Sequence, residues 1–259
     1  MKKYVADCIV SENQSLSNNY CLLKLKQKQL FPEMLPGQFV QVRVDDSPTT
    51  FLRRPISIHY LDKERNELWL LVQAIGDGTH KLRELKAGSI LNLIYPLGNS
   101  FSIPDESDKN KKLLLIGGGV GIAPLLFLGS HLKSKGFDPV FLLGARTPGD
   151  LLQLPEFEKC GCVHCTTENG LFGEKGYVTN HSILQTNFDF IYTCGPSPMM
   201  KAVASYAKNK QIPCEVSLEN TMACGIGACL CCVEKTVDGH ICVCTEGPVI
   251  NIEKLTWQI

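Results

Sequence analysis

The chain has 259 residues, 44% hydrophobic and 20% charged, and its 26 basic and 26 acidic side chains cancel at neutral pH. At roughly 100–200 residues per domain, this length suggests two domains and a small appendage. The balance excludes the usual electrostatic case for a nucleic-acid or anionic-membrane binder, and the composition excludes a disordered chain.

The N-terminal stretch Met1-Lys2-Lys3-Tyr4-Val5-Ala6-Asp7 reaches charge before a signal-peptide core can develop. No apolar run reaches the roughly 18 residues that a membrane span requires. A cytoplasmic protein is expected. The first hundred residues then read as short β-rich runs at 4–10, 20–25, 39–44, 56–60, 68–75 and 90–94. Turn formers such as Pro36-Gly37 and Gly76-Asp77-Gly78 separate them, the pattern of a small antiparallel barrel. A short helix is predicted to start at Thr79, with its hydroxyl capping His80 to Leu85.

A polar segment, 104–112, marks a boundary, after which the rhythm becomes strand, turn, helix. Strands are expected at 113–116, 140–143, 162–166 and 190–193, with helices clearest at 124–133 and 198–208. This alternation implies a parallel sheet in an α/β domain. The fold class is therefore a β-barrel, an α/β parallel-sheet domain and a small C-terminal unit. The divisions fall at 1–103, 104–212 and 213–259.

Cysteine is the anomaly. The chain has 13, an odd number that a reducing cytoplasm would keep as thiols. Seven of them lie between Cys214 and Cys244. Cys224, Cys229 and Cys232 follow C-x4-C-x2-C, and Cys244 comes after eleven intervening residues, which is the plant-type spacing of a four-thiolate [2Fe–2S] cluster. Gly225 and Gly227 let the loop wrap tightly and bring backbone N–H groups toward sulfur. The fourth ligand would come from the far arm of a hairpin turning at Asp238-Gly239. Cys231 and Cys242 are alternatives at two positions. Cys232 is preferred because it keeps the two-residue gap, and Cys244 because Gly247-Pro248 follows as a closing turn. A structural zinc site is the rival, but zinc usually takes paired C-x2-C knuckles.

Four further motifs carry chemistry. In Arg53-Arg54-Pro55-Ile56-Ser57 an arginine could pair with a phosphate while the serine bonds a planar ring edge. Gly78 and Thr79 open a helix whose N–H groups suit a pyrophosphate. In Leu113-Leu-Leu-Ile116-Gly-Gly-Gly-Val-Gly121-Ile-Ala-Pro124 an apolar strand enters a glycine-rich turn and then a helix, a nucleotide-phosphate site. Cys194-Gly195-Pro196-Ser197-Pro198-Met199 follows the last strand, at the sheet edge where open α/β folds bind ligands. Cys160-Gly-Cys-Val-His-Cys165 reads as a strand with semi-buried thiols, and Cys8, Cys21 and Cys214 read as core fillers.

In this order the motifs resemble the ferredoxin–NADP reductase superfamily. With Met222-Ala-Cys-Gly-Ile-Gly-Ala-Cys229 and Cys244-Thr-Glu-Gly-Pro-Val249, the chain is similar throughout to the electron-transfer subunits of type B dihydroorotate dehydrogenases. The resemblance implies FAD held by Arg54 on the phosphates, Pro55 and Ile56, with Ser57 near the isoalloxazine. Leu71, Val72 and Gln73 would line the flavin through backbone groups, with Gly78 and Thr79 on the pyrophosphate. Gly117, Gly118, Gly119 and Gly121, with Cys194, Gly195 and Met199, would shape an NAD site.

The resemblance also implies an oxidoreductase subunit passing electrons between NAD, FAD, the [2Fe–2S] cluster and a catalytic FMN-containing partner. That complex, a heterotetramer of two copies of each chain, oxidises dihydroorotate in pyrimidine synthesis. Neither nucleic acid nor membrane is expected as a partner. A flavin reductase subunit serving ferredoxin or hydrogenase, and a non-catalytic assembly subunit with a structural cluster, stay open as alternatives. A family glycine or other small residue is replaced by Cys231, which leaves a spare thiol beside the cluster loop.

Overall fold

The computed structural model describes residues 2–259. Six strands build the N-terminal unit: β1 (Tyr4–Ser15), β2 (Tyr20–Lys26), β3 (Phe39–Val42), β4 (Arg54–Asp62), β5 (Glu67–Gln73) and β6 (Ile90–Leu97). They close into an antiparallel barrel in the order β1-β2-β5-β4-β3-β6, and helix α1 (Asp77–Glu84) follows β5. Side chains alternate across a strand, so Leu23 and Leu25, Val40 and Val42, and Leu91 and Leu93 fill the barrel interior. The opposite faces are used as well. Phe39 and Leu97 enter a core shared with the C-terminal segment, while Tyr20 and Leu71 enter one shared with the α/β layer.

The second unit runs β7 (Leu113–Gly118), α2 (Ala123–Ser134), β8 (Val140–Ala145), α3 (Leu154–Cys160), β9 (Cys162–Thr167), β10 (Glu174–Lys175), β11 (Phe190–Cys194), α4 (Ser197–Lys210) and β12 (Cys214–Ser217). The chain ends with the hairpin β13 (Val233–Thr236) and β14 (Gly239–Cys242), the single turn α5 (Val243–Glu246) and β15 (Val249–Asn251). One seven-stranded sheet has the order β10-β9-β8-β7-β11-β12-β15, with only β15 antiparallel to its neighbour. The sheet thus runs past residue 212, because β12 and β15 continue it. Strand order reverses between β7 and β11, a topological switch point.

Two predicted details shift. Helix α1 begins at Asp77 with Gly76 as its N-cap, not at Thr79. Thr79 is the third helical residue and reaches back, its Oγ1 accepting from the Ile75 and Gly76 N–H groups at 2.9 and 3.1 Å. The C-terminal hairpin turns at Val237-Asp238, one residue earlier than expected, with Gly239 opening β14 at φ +123°.

Buried His59 ties the first two units together. Its Nδ1–H donates to the Ala123 carbonyl at 2.9 Å, in the first turn of α2. Burial pulls this imidazole down to about 4, so it is neutral at pH 7. Cys8, Cys21 and Cys214 are core residues, and burial pushes the Cys8 thiol up to about 12. Among the described residues, no helix is long and apolar enough to cross a membrane.

Candidate functional site

The first pocket lies on the barrel where β4 leaves β5. These strands pair only from Ile58↔Leu70 to Asp62↔Glu67. The earlier half of β4, Arg54 to Ser57, pairs instead with β3. Leu71, Val72 and Gln73 keep their ladder to β2 and have an open backbone edge on the β4 side. Pro55 and Ser57 are the outward residues of the neighbouring strand β4, because Ile56 and Ile58 pack toward the barrel interior. A planar ring that hydrogen-bonds along its rim fits there.

The adjoining arginines divide. Arg53 is bound into the barrel, donating to the Gln41 carbonyl at 3.3 Å and to Asn92 O and Oδ1 at 3.1 and 2.5 Å. Among the described residues Arg54 makes a single 3.3 Å bond, to the Leu52 carbonyl. Its guanidinium lies over the start of α1, where a Cβ on Gly78 would sit 3.1 Å from Arg54 Nε and 2.8 Å from Thr50 Cγ2. Glycine is thus the residue that lets the cation and the first helical N–H groups share one space. This cradle fits a pyrophosphate. The Thr79 hydroxyl is already engaged with the Gly76 turn, so it shapes the cradle and does not stand free within it.

The second site is the switch point. Cys194 pairs with Gly117 across β11 and β7, so the turns after these strands meet. A Cβ on Gly121 would lie 2.3 Å from Gly195 Cα, and one on Gly118 would lie 2.5 Å from Met199 Sδ. Gly119 adopts φ +56°, in the left-handed region that glycine enters without cost. The N-terminus of α4 opens beside this crevice onto a cavity of about 300 Å³ that includes Gly195, Ser197, Lys201 and Glu219. Buried Cys194 donates its S–H to Glu219 Oε1 at 3.8 Å. Glu219 is exposed at its outer surface, but the protein around its carboxyl raises it above the ordinary carboxylate range. No sequence motif singled out Glu219. Its relation to Cys194 arises only because β11 and β12 are neighbours.

The third site is the C-terminal thiol loop. Ile226 N and Ala228 N donate to Cys224 Sγ at 3.4 and 3.3 Å, and Gly227 N donates to Cys244 Sγ at 3.2 Å. Cys244 N donates to Cys232 Sγ at 3.4 Å. Successive amides of one turn therefore serve Cys224 and Cys244, and the Cys244 amide serves Cys232. The Ile226 N–H leads in pulling the Cys224 thiol down to about 6, while burial pushes Cys244 up to about 12. Three thiols at C-x4-C-x2-C spacing and a fourth from just beyond the hairpin fit a [2Fe–2S] cluster, whereas zinc usually takes paired C-x2-C knuckles. Cys231 turns away to the Thr221 carbonyl at 3.6 Å. Cys244 lies one residue past the start of α5, just beyond the far hairpin arm.

Comparison with known proteins agrees with this division. Residues 7–101 match the model of an oxidoreductase FAD-binding domain, and residues 115–205 match an oxidoreductase NAD-binding domain. Residues 219–256 match the iron–sulfur cluster binding domain of dihydroorotate dehydrogenase B. A relative from Lysinibacillus sphaericus is 39% identical over 93% of this chain and 94% of its own length. One from Fusobacterium nucleatum is 34% identical over 95% of this chain and 96% of its own. Both are named electron transfer subunit of dihydroorotate dehydrogenase B (NAD(+)). Among solved structures, a chain of an NADH-dependent reduced ferredoxin–NADP oxidoreductase superposes with a TM-score of 0.87 at 30% identity, covering 97% of this chain and 90% of that one. The ferredoxin reductase of carbazole 1,9a-dioxygenase shares the fold, with a TM-score of 0.70 at 22% identity over 82% of this chain and 68% of its own.

Barrel, switch-point sheet and thiol loop together define an oxidoreductase module of the ferredoxin–NADP reductase type, with FAD-, NAD- and iron–sulfur-binding domains in one chain. Within that class the chain belongs to the family of dihydroorotate dehydrogenase B (NAD(+)) electron transfer subunits.

Proposed function

We propose that the chain carries electrons between NAD(H) and a catalytic, FMN-containing partner that oxidises dihydroorotate to orotate in cytoplasmic pyrimidine synthesis. The observation that carries this reading is the four-thiol loop, in which backbone N–H groups bond to Cys224, Cys232 and Cys244 and Gly225 packs on the outward face of β3 beside β4. Bound FAD exchanges a two-electron hydride with NAD and single electrons with a [2Fe–2S] cluster, which neither of those groups does directly with the other.

The chain's own residues position these groups. Arg54 and the first amides of α1, at Gly78 and Thr79, hold the flavin pyrophosphate. Pro55, Ile56 and Ser57 lie along one side of the ring, and the backbone of Leu71, Val72 and Gln73 along the other. The turn from Gly117 through Gly118 and Gly119 to Gly121 takes the nicotinamide nucleotide against Gly195 and Met199. Cys194 borders the nicotinamide, its thiol oriented by Glu219. Cys224, Cys229, Cys232 and Cys244 hold the cluster. Ile226 and Leu230 of the same loop are exposed and offer the partner an apolar contact beside it. All 13 cysteines are free thiols, which suits a reducing compartment.

Co-expression with the catalytic chain tests the reading. The complex should couple orotate formation to NAD+ reduction, and omission of this chain should stop NAD+ reduction. Light scattering of the complex should give two copies of each chain. The 0.87 TM-score match to a ferredoxin–NADP oxidoreductase chain favours one second reading, a subunit that serves ferredoxin. Ferredoxin-dependent turnover without orotate-dependent turnover would establish that alternative.

A further inference from the structure

Gln41 is fully buried, at 0% exposure, and among the described residues neither its Nε2 nor its Oε1 has a hydrogen-bond partner. Such a group bears its whole desolvation penalty with no return, so native proteins rarely leave one. Its place in the barrel explains where it points. Val40 and Val42 face the barrel interior, so Phe39 and Gln41 face outward. Phe39 packs into the core that contains Cys232 and Cys244. Gln41 pairs with Pro55 of β4 and touches the thiol loop. A Cβ added to Gly225 would lie 2.6 Å from Gln41 Cγ and 2.8 Å from Gln41 Nε2. Gly225 has φ +71° and directly follows Cys224. The orphaned amide is thus wedged between the strand pair assigned to the flavin and the loop assigned to the cluster.

We infer that Gln41 Nε2–H donates a hydrogen bond to a sulfur at the Cys224 corner of the [2Fe–2S] cluster, making Gln41 a positioning residue that sets the cluster's potential. This deepens the proposed function and rests on the thiol loop holding a cluster. The chemistry selects the donor end, because sulfide and thiolate sulfurs accept only. Backbone N–H groups already serve Cys224, Cys232 and Cys244. A side-chain donor from the barrel adds one more, from the unit that would carry the flavin. Reduction adds negative charge to the sulfurs, so the donor stabilises the reduced cluster and raises its potential.

The test uses the full chain loaded with iron, sulfide and FAD. In protein labelled with ¹⁵N at glutamine side chains, pulsed EPR of the reduced cluster should show a coupled side-chain nitrogen. The signal should vanish in Gln41→Leu. The same variant should disfavour cluster reduction about fivefold, the worth of one hydrogen bond, or about 40 mV at 59 mV per tenfold. The flavin potential should stay where it was. No glutamine coupling in the wild-type protein would overturn the inference even if the variant failed to fold, and so would an unshifted cluster potential in a folded Gln41→Leu. Iron absent from the wild-type chain would instead overturn the proposed function itself.

Discussion

Gly121 and Gly195 meet so closely that a Cβ on the first would stand 2.3 Å from the Cα of the second. The two turns that follow β7 and β11 are packed backbone against backbone at the switch point. Gly121→Ala should push them apart and distort the nucleotide crevice. Misplacement by about 1 Å can cost on the order of 100-fold in rate. The NADH–dye reductase kcat/KM should therefore fall by at least about tenfold, while iron content and bound FAD remain. Steady-state kinetics beside cofactor analysis checks this.

The thiol assignments give a sharper contrast. Cys224→Ser, Cys229→Ser, Cys232→Ser and Cys244→Ser should each lose the cluster or leave it labile. Cys231→Ser should keep full iron, since that thiol turns to the Thr221 carbonyl. Cys242→Ser should keep it too, because Cys242 contributes its backbone N–H to Glu246 Oε2 at 2.8 Å, which a serine preserves. Iron and sulfide assays on the six variants decide the set.

Arg53 and Arg54 should separate by readout. Arg54→Ala removes a charge-assisted contact to the flavin phosphates, worth about 1.5–3 kcal/mol, so FAD affinity should fall about 10- to 100-fold with little change in Tm. Arg53→Ala breaks bonds to Gln41 and Asn92. It should lower Tm and leave FAD affinity nearly intact. Fluorescence titration with FAD and calorimetry distinguish the two.

His59 predicts a pH dependence of stability. Burial holds its folded-state value near 4, below the ordinary imidazole value of about 6.5, so between these values the unfolded chain binds a proton that the folded chain refuses. Stability is then fully present above about pH 6.5 and is lost as pH falls toward 4. The loss is roughly 3 kcal/mol at about 1.4 kcal/mol per unit. Urea melts from pH 7 to pH 4.5 should show the decline, and His59→Gln should flatten it.

The strands of the barrel and sheet are legible in sequence because their interiors demand alternation or continuous apolar runs, as in Leu23/Leu25 and Leu113–Ile116. The four thiols are legible because one loop supplies three of them at fixed spacing. What remains hidden depends on contacts between distant segments. Gln41 reads as an ordinary polar strand residue until Gly225 is placed against it. Glu219 has no motif of its own until β12 lies beside β11. The start of α1 is hidden because Thr79 serves the cap from inside the helix, at the third position, while Gly76 takes the cap itself.

The most direct test of the account is an anaerobic NADH titration of the purified, FAD-loaded chain, followed by EPR after iron and sulfide have been counted. The account predicts two irons and two sulfides per chain, a [2Fe–2S] signal that appears on addition of NADH, and loss of that signal, but not of the iron, once FAD is stripped. A colourless zinc protein would contradict it, as would a cluster that NADH leaves oxidised in the flavin-loaded chain.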